Sequence, residues 1–135
     1  MQQLTSNQLK GQPNVPNLKS VTAVLPVSDH AAAVAWYKQW IGRGPDVEPQ
    51  EGVAEWQIAE NAWIQVSLDP ETTGRTNIVI GVDDIDAHVA SLASAGVTAG
   101  EIQDFDFIKL TEIVDPAGNK VNFVWENPKY EPPAE

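Results

Sequence analysis

The feature that most constrains this chain is a pattern that occurs twice. Val24-Leu25-Pro26-Val27-Ser28-Asp29 opens one copy and Val79-Ile80-Gly81-Val82-Asp83-Asp84 opens the other. Each reads as a strand that ends in an acidic helix cap, and each leads into an alanine-rich amphipathic segment. An internal repeat decides architecture before any single residue does, because one copy alone cannot bury its apolar side.

The chain has 135 residues, enough for one compact domain. Strands are expected near 20–27, 53–58, 63–68, 77–82, 101–107, 109–114 and 120–126, where apolar residues alternate. Helices are expected over 30–41 and about 85–95, capped by Asp29 and Asp84 and closed by Gly42 and Gly96. Asp115-Pro116-Ala117-Gly118-Asn119 is a strong turn signal before the last strand. The expected fold is α+β: a βαβββ module at about 20–70 and its repeat at about 75–127. Together they would form a curved mixed sheet around a cleft, with the helices on the convex side. Residues 1–19 are expected to form an irregular polar arm, and 128–135 an acidic, proline-rich tail. The strands have one apolar face for the helices. Their other face mixes polar and aromatic residues and suits a ligand cleft.

Composition narrows the functions. The absence of cysteine excludes disulfides, thiolate metal sites and a cysteine nucleophile. Eight basic against 19 acidic residues give a net charge of −11, which disfavours nucleic acid and anionic lipid and attracts cations. No apolar run approaches the roughly 20 residues that span a bilayer. No secretory leader is read at the N-terminus, so the expected location is the cytoplasm.

The two strand-cap openings, Trp36-Tyr37 through Ile41-Gly42, Val82-Asp83-Asp84-Ile85-Asp86, Ala95-Gly96-Val97 and the 115–119 turn follow one another across about 20–126. In order and spacing they resemble the vicinal oxygen chelate superfamily, which includes glyoxalase I, bleomycin and fosfomycin resistance proteins and extradiol dioxygenases. The resemblance implies a cleft in which enzymes of the superfamily bind one divalent metal. It takes the ligands, commonly His and Glu, from the first and last strand of each half. Carried over by spacing from the caps and the turn, those positions are Thr22, Asn77 and Asn122, with Gln65 as the first-half counterpart of Asn122. None is an imidazole or a carboxylate, and neutral amides and a hydroxyl are poor ligands for a transition metal. No metal and no other cofactor is therefore expected. His30 and His88 fall on the helices and are expected to be solvated.

The same four residues are hydrogen-bonding groups on the cleft side. They would satisfy one another, hold ordered water or contact a ligand. Trp63, on the face of Gln65, and Phe107 would add apolar contacts. Trp56 and Trp125 go to the core by alternation, and Trp36 and Trp40 go there on the apolar stripe of the first helix. The reading is a metal-free binding protein, similar to bleomycin resistance proteins, that sequesters a cationic or aromatic small molecule. A homodimer is the expected assembly. Two alternatives remain open. One is a lyase, epimerase or oxygenase with a relocated metal site, or with acid–base catalysis by Glu112 or Glu126. The other is a non-catalytic interaction module.

Overall fold

The computed structural model describes residues 15–133. Its elements are β1 (Val21–Val27), α1 (His30–Ile41), β2 (Val47–Gln50), β3 (Val53–Ala59), β4 (Ala62–Leu68), β5 (Asn77–Gly81), α2 (Ile85–Ser94), β6 (Gln103–Asp104), β7 (Ile108–Val114) and β8 (Lys120–Glu126). The βαβββ order occurs twice, as the repeat requires. Most of the expected 1–19 arm lies outside the described residues. Residues 15–20 and 127–133 carry no helix or strand.

The caps work as their side chains predict. Asp29 Oδ1 accepts the Ala32 N–H and Asp84 Oδ1 accepts the Ala87 N–H, each at 3.0 Å. Gly42 ends α1 in the left-handed region at φ 91° and donates its N–H to the Lys38 carbonyl. Two expectations are corrected. The strand expected near 101–107 shrinks to Gln103–Asp104, because Asp104 Oδ1 accepts the Asp106 N–H and Asp106 turns to φ 71°. Conversely, Val47–Gln50 is a strand that alternation does not reveal. It contains a proline, is exposed throughout and pairs irregularly with β3 at the sheet edge.

The strands form two sheets of identical order, β1-β4-β3-β2 and β5-β8-β7-β6. In each, the first strand runs parallel to the last strand of its module and the remaining pairs are antiparallel. The two expected modules are two four-stranded mixed sheets within one chain, with no ladder from β1 to β5.

Both sheets turn their apolar faces to one core. Leu25, Val27, Trp56, Ile64 and Val66 from the first meet Ile113, Val121 and Phe123 from the second, with Tyr37 of α1 and Leu92 of α2 among them. Trp40 of α1 packs edge-on against Phe123, with ring centroids 5.6 Å apart, so one helix touches both sheets. Trp56 is fully buried, as alternation requires, and its indole N–H reaches the Arg43 carbonyl at 3.0 Å. Trp36 and Trp40 are half-buried against the core. Trp125 departs from expectation. It is half-buried at the end of β8, with Lys109 Nζ 5.2 Å from its ring.

The 115–119 turn joins the modules. Asp115 Oδ1 accepts the N–H groups of Ala117, Gly118 and Asn119. Its Oδ2 accepts the Tyr37 hydroxyl and the Asn119 amide, both at 2.9 Å. Fully buried Asn119 also donates to the Pro26 carbonyl at 2.7 Å and accepts the Thr76 N–H at 3.1 Å. Gly74 lies against this turn so closely that a Cβ there would stand 2.2 Å from the Ala117 carbonyl oxygen. Burial, then the charge of Asp115 and the hydrogen bond to it, push the Tyr37 hydroxyl far above the ordinary phenol range.

Tyr37→Phe should therefore lose about 2 kcal/mol, the scale of a hydrogen bond to a charged group. Above pH about 10 the unfolded chain releases the Tyr37 proton while the folded chain retains it, so stability should fall as pH rises. Urea unfolding at neutral and alkaline pH checks both. Tyr37→Phe should flatten the alkaline loss, and an unchanged alkaline slope would show that Tyr37 does not set it.

Candidate functional site

Alternation leaves each sheet a second face, turned away from the shared core. On the first sheet, the register sets Thr22 beside Trp63 and Val24 beside Gln65, with Glu55 on the other side of Gln65. Gln65 is held by its neighbours: its Nε2 donates to Glu55 Oε2 at 3.0 Å, and its Oε1 accepts the Ser67 hydroxyl at 2.6 Å. Trp63, Gln65 and Glu55 are half-buried, while Thr22 is exposed.

On the second sheet, Val79 lies beside Asn122 and Glu112 on its other side. Asn122 donates its amide to Asn77 Oδ1 and, at 3.1 Å, to the Ile78 carbonyl. A recess of about 470 Å³ opens here. Glu112, Asn122, Leu110 and Thr111 line it together with the Gly100–Gln103 segment. Two bonds set its wall: Gly100 N–H to the Glu112 carbonyl at 2.9 Å, and the Thr111 hydroxyl to the Gly100 carbonyl at 2.6 Å.

The sequence-derived residues fall into two groups. Thr22, Trp63 and Gln65 share the first sheet's mixed face, and Asn77, Asn122 and Glu112 share the second's. Among the described residues no hydrogen bond joins the groups. Glu126 lies on the second face at the far end of β8, opposite Ile108. Phe107 does not border the recess. It precedes β7, its carbonyl accepts the Asn127 N–H, and its ring meets Tyr130 at 5.8 Å. That is five residues along from Asn122, roughly 16 Å of strand. Glu55 was not singled out from the sequence. The signal for it is the register, which makes it the repeat counterpart of Glu112.

The donor set does not fit a divalent metal. Thr22, Gln65, Asn77 and Asn122 carry no charge, and the amide oxygens of Gln65 and Asn77 already accept hydrogen bonds within the chain. No group of three or more His, Asp or Glu among the described residues is placed to hold a metal ion. The histidines are not solvated as expected. Both are half-buried, and neither Nε2 has a hydrogen-bond partner among the described residues. His88 packs on Phe123, with centroids 4.1 Å apart, and on Trp40; burial lowers its pKa.

The mixed faces are open at their edges. Among the described residues β1 and β5 each lack a partner on one side. Val21 is 73% exposed, Val24 43% and Val79 68%. No helix among the described residues is long and apolar enough to cross a membrane.

Neither a protein-family profile nor a curated protein sequence matches the chain. Solved structures do. A glyoxalase/bleomycin resistance protein from Catenulispora acidiphila superposes with a TM-score of 0.76 at 27% identity, over 81% of this chain and 99% of that one. TnmS3, an antibiotic-binding protein from Streptomyces sp. CB03234, gives 0.70 at 18% identity, over 84% and 100%. A lactoylglutathione lyase from Agrobacterium tumefaciens gives 0.68 at 16% identity, over 82% and 96%. The chain has the two-module fold of the glyoxalase/bleomycin resistance proteins, consistent with the vicinal oxygen chelate superfamily that its sequence resembles.

Proposed function

We propose that this protein sequesters a cationic or aromatic small molecule, without metal chemistry, in a site that two copies of the chain complete. The observation that carries the reading is the donor set: Thr22, Gln65, Asn77 and Asn122 can hydrogen-bond a ligand but cannot hold a metal well. The recess beside Asn122 gives part of such a site its volume. The net charge of −11 favours a cationic ligand, and one similar structure is an antibiotic-binding protein.

The open edges support a homodimer. β1 and β5 are repeat-equivalent edge strands with exposed valines, and unpaired strand edges accept partners. Pairing β1 of one copy with β5 of another would set the Thr22–Trp63–Gln65 group facing Asn77 and Asn122 of the second copy. The ligand would then lie between the two copies, in the cytoplasm.

Tryptophan fluorescence during titration with a panel of cationic aromatic drugs tests this. A saturable change is expected, weakened severalfold in Trp63→Phe. No binding above micromolar background across the panel would overturn the sequestration reading.

One observation favours a second reading. Glu112 borders the recess beside Asn122, where a carboxylate can act as an acid or base without a metal. In that reading Glu112→Gln abolishes turnover while binding persists.

A further inference from the structure

We infer that Glu55 and Glu112 are a matched pair of cation-binding side chains, and that the ligand is an elongated organic dication with one basic nitrogen for each. This rests on the mixed faces being a ligand site shared by two copies.

The register carries the inference. Across β1, β4 and β3 the mixed face reads Val24, Gln65, Glu55. Across β5, β8 and β7 it reads Val79, Asn122, Glu112. The same row of valine, amide and glutamate thus stands at equivalent places in the two modules, although the repeat is otherwise degenerate there. The neighbouring row pairs Thr22 with Trp63 in one module and Asn77 with Lys120 in the other.

Among the described residues neither carboxylate has an ion-pair partner, while Arg43 pairs with Asp46 and Lys109 with Asp104. Both glutamates are half-buried. Glu55 is also oriented, through Gln65 and Ser67, by hydrogen bonds at 3.0 and 2.6 Å. A partly desolvated, oriented carboxylate without a cation of its own is a good receptor for an amidinium or ammonium group, which it meets through a charge-assisted hydrogen bond. Trp63 adds a ring face that favours the same charge.

Pairing of β1 with β5 of a second copy dictates the ligand's shape. Glu55 and Glu112 of the second copy would each stand on the third strand from the junction. Five strand spacings separate them, roughly 24 Å along the sheet and less across its curvature. A compact dication cannot engage both, and a long one can.

Isothermal titration with pentamidine, which carries an amidinium at each end, tests the pair. Benzamidine serves as its one-ended counterpart and 8-anilinonaphthalene-1-sulfonate as an anionic probe. Pentamidine should bind at one per chain and at least tenfold more tightly than benzamidine. Glu55→Gln and Glu112→Gln should each weaken pentamidine about tenfold, with unchanged thermal unfolding and no loss of affinity for the anionic probe. Wild-type affinity for pentamidine in both variants would overturn the inference. If benzamidine or the anionic probe binds and depends on Trp63 while the glutamate variants have no effect, the ligand site stands and the paired carboxylates fall. If none of the three probes binds, both fall.

Discussion

Asn119→Ala should destabilise the protein by about 4 kcal/mol. The side chain is fully buried and serves three partners: the Pro26 carbonyl, the Thr76 N–H and Asp115 Oδ2. Alanine leaves the Thr76 N–H unsatisfied, takes one of two donors from the Pro26 carbonyl, which keeps the Gly74 N–H, and deprives a buried carboxylate of one of its donors. Each buried polar group left unsatisfied costs about 1–3 kcal/mol. Pro26 is the second-last residue of β1 in one module and Thr76 precedes β5 in the other, so the loss falls on the junction of the modules. Total stability of such domains is about 5–15 kcal/mol, and the variant should sit near the edge of folding. Urea unfolding measures it. Asn127→Ala, which removes two exposed bonds, one to the Asp106 carbonyl and one from the Lys129 N–H, is the control and should lose about 1 kcal/mol. Equal losses in the two variants would show that the turn does not clamp the modules.

Trp56→Ala should cost about 3–5 kcal/mol, the range for truncating a large buried aromatic. Trp56 is fully buried, its ring lies 6.0 Å from that of Tyr37, and its indole N–H bonds the Arg43 carbonyl. Trp56→Phe keeps most of the packing and loses that bond, so about 1–2 kcal/mol is expected. The Arg43 carbonyl lies in the segment that leads to β2. In the same segment Asp46 accepts two bonds from Arg43 and one from the Gln57 N–H, which together hold its carboxyl at a pKa of about 2. The alanine variant should therefore loosen the β2–β3 edge as well as the core, visible as faster amide exchange at Asp46 and Gln57. A loss below about 1 kcal/mol in Trp56→Ala would contradict the packing described.

The sequence shows the fold more fully than the site. Asp29 and Asp84 mark both helix starts because a cap is a local interaction, complete within three residues. Alternation places Trp56 inside and Trp63 on the other face because period two is local as well. It misses Val47–Gln50, where edge exposure removes the alternation and proline removes the propensity. It also misplaces Trp125, since a strand's last residues can leave the core while their parity is kept. The partners of Asn119 and Tyr37 are separated by up to 93 and 78 residues, and no local pattern encodes them. The same limit hides the arrangement of the site. Thr22 and Asn77 are legible as equivalent positions, but whether one chain brings their faces together depends on how the modules pack. Here both apolar faces claim the same core, and the mixed faces turn outward. Glu55 emerges only when the ladder β3–β4 is laid beside β7–β8.

The central claim is that the two mixed faces form one small-molecule site between two copies of the chain. Chemical-shift mapping of backbone, indole and side-chain amide N–H signals during titration with a binding cationic aromatic compound tests it most directly. Thr22, Trp63 and Gln65 should shift together with Asn77 and Asn122, along one saturation curve, in a particle of dimer mass. Shifts confined to one sheet, or centred on Phe105, Phe107 and Tyr130, in a monomer would contradict it.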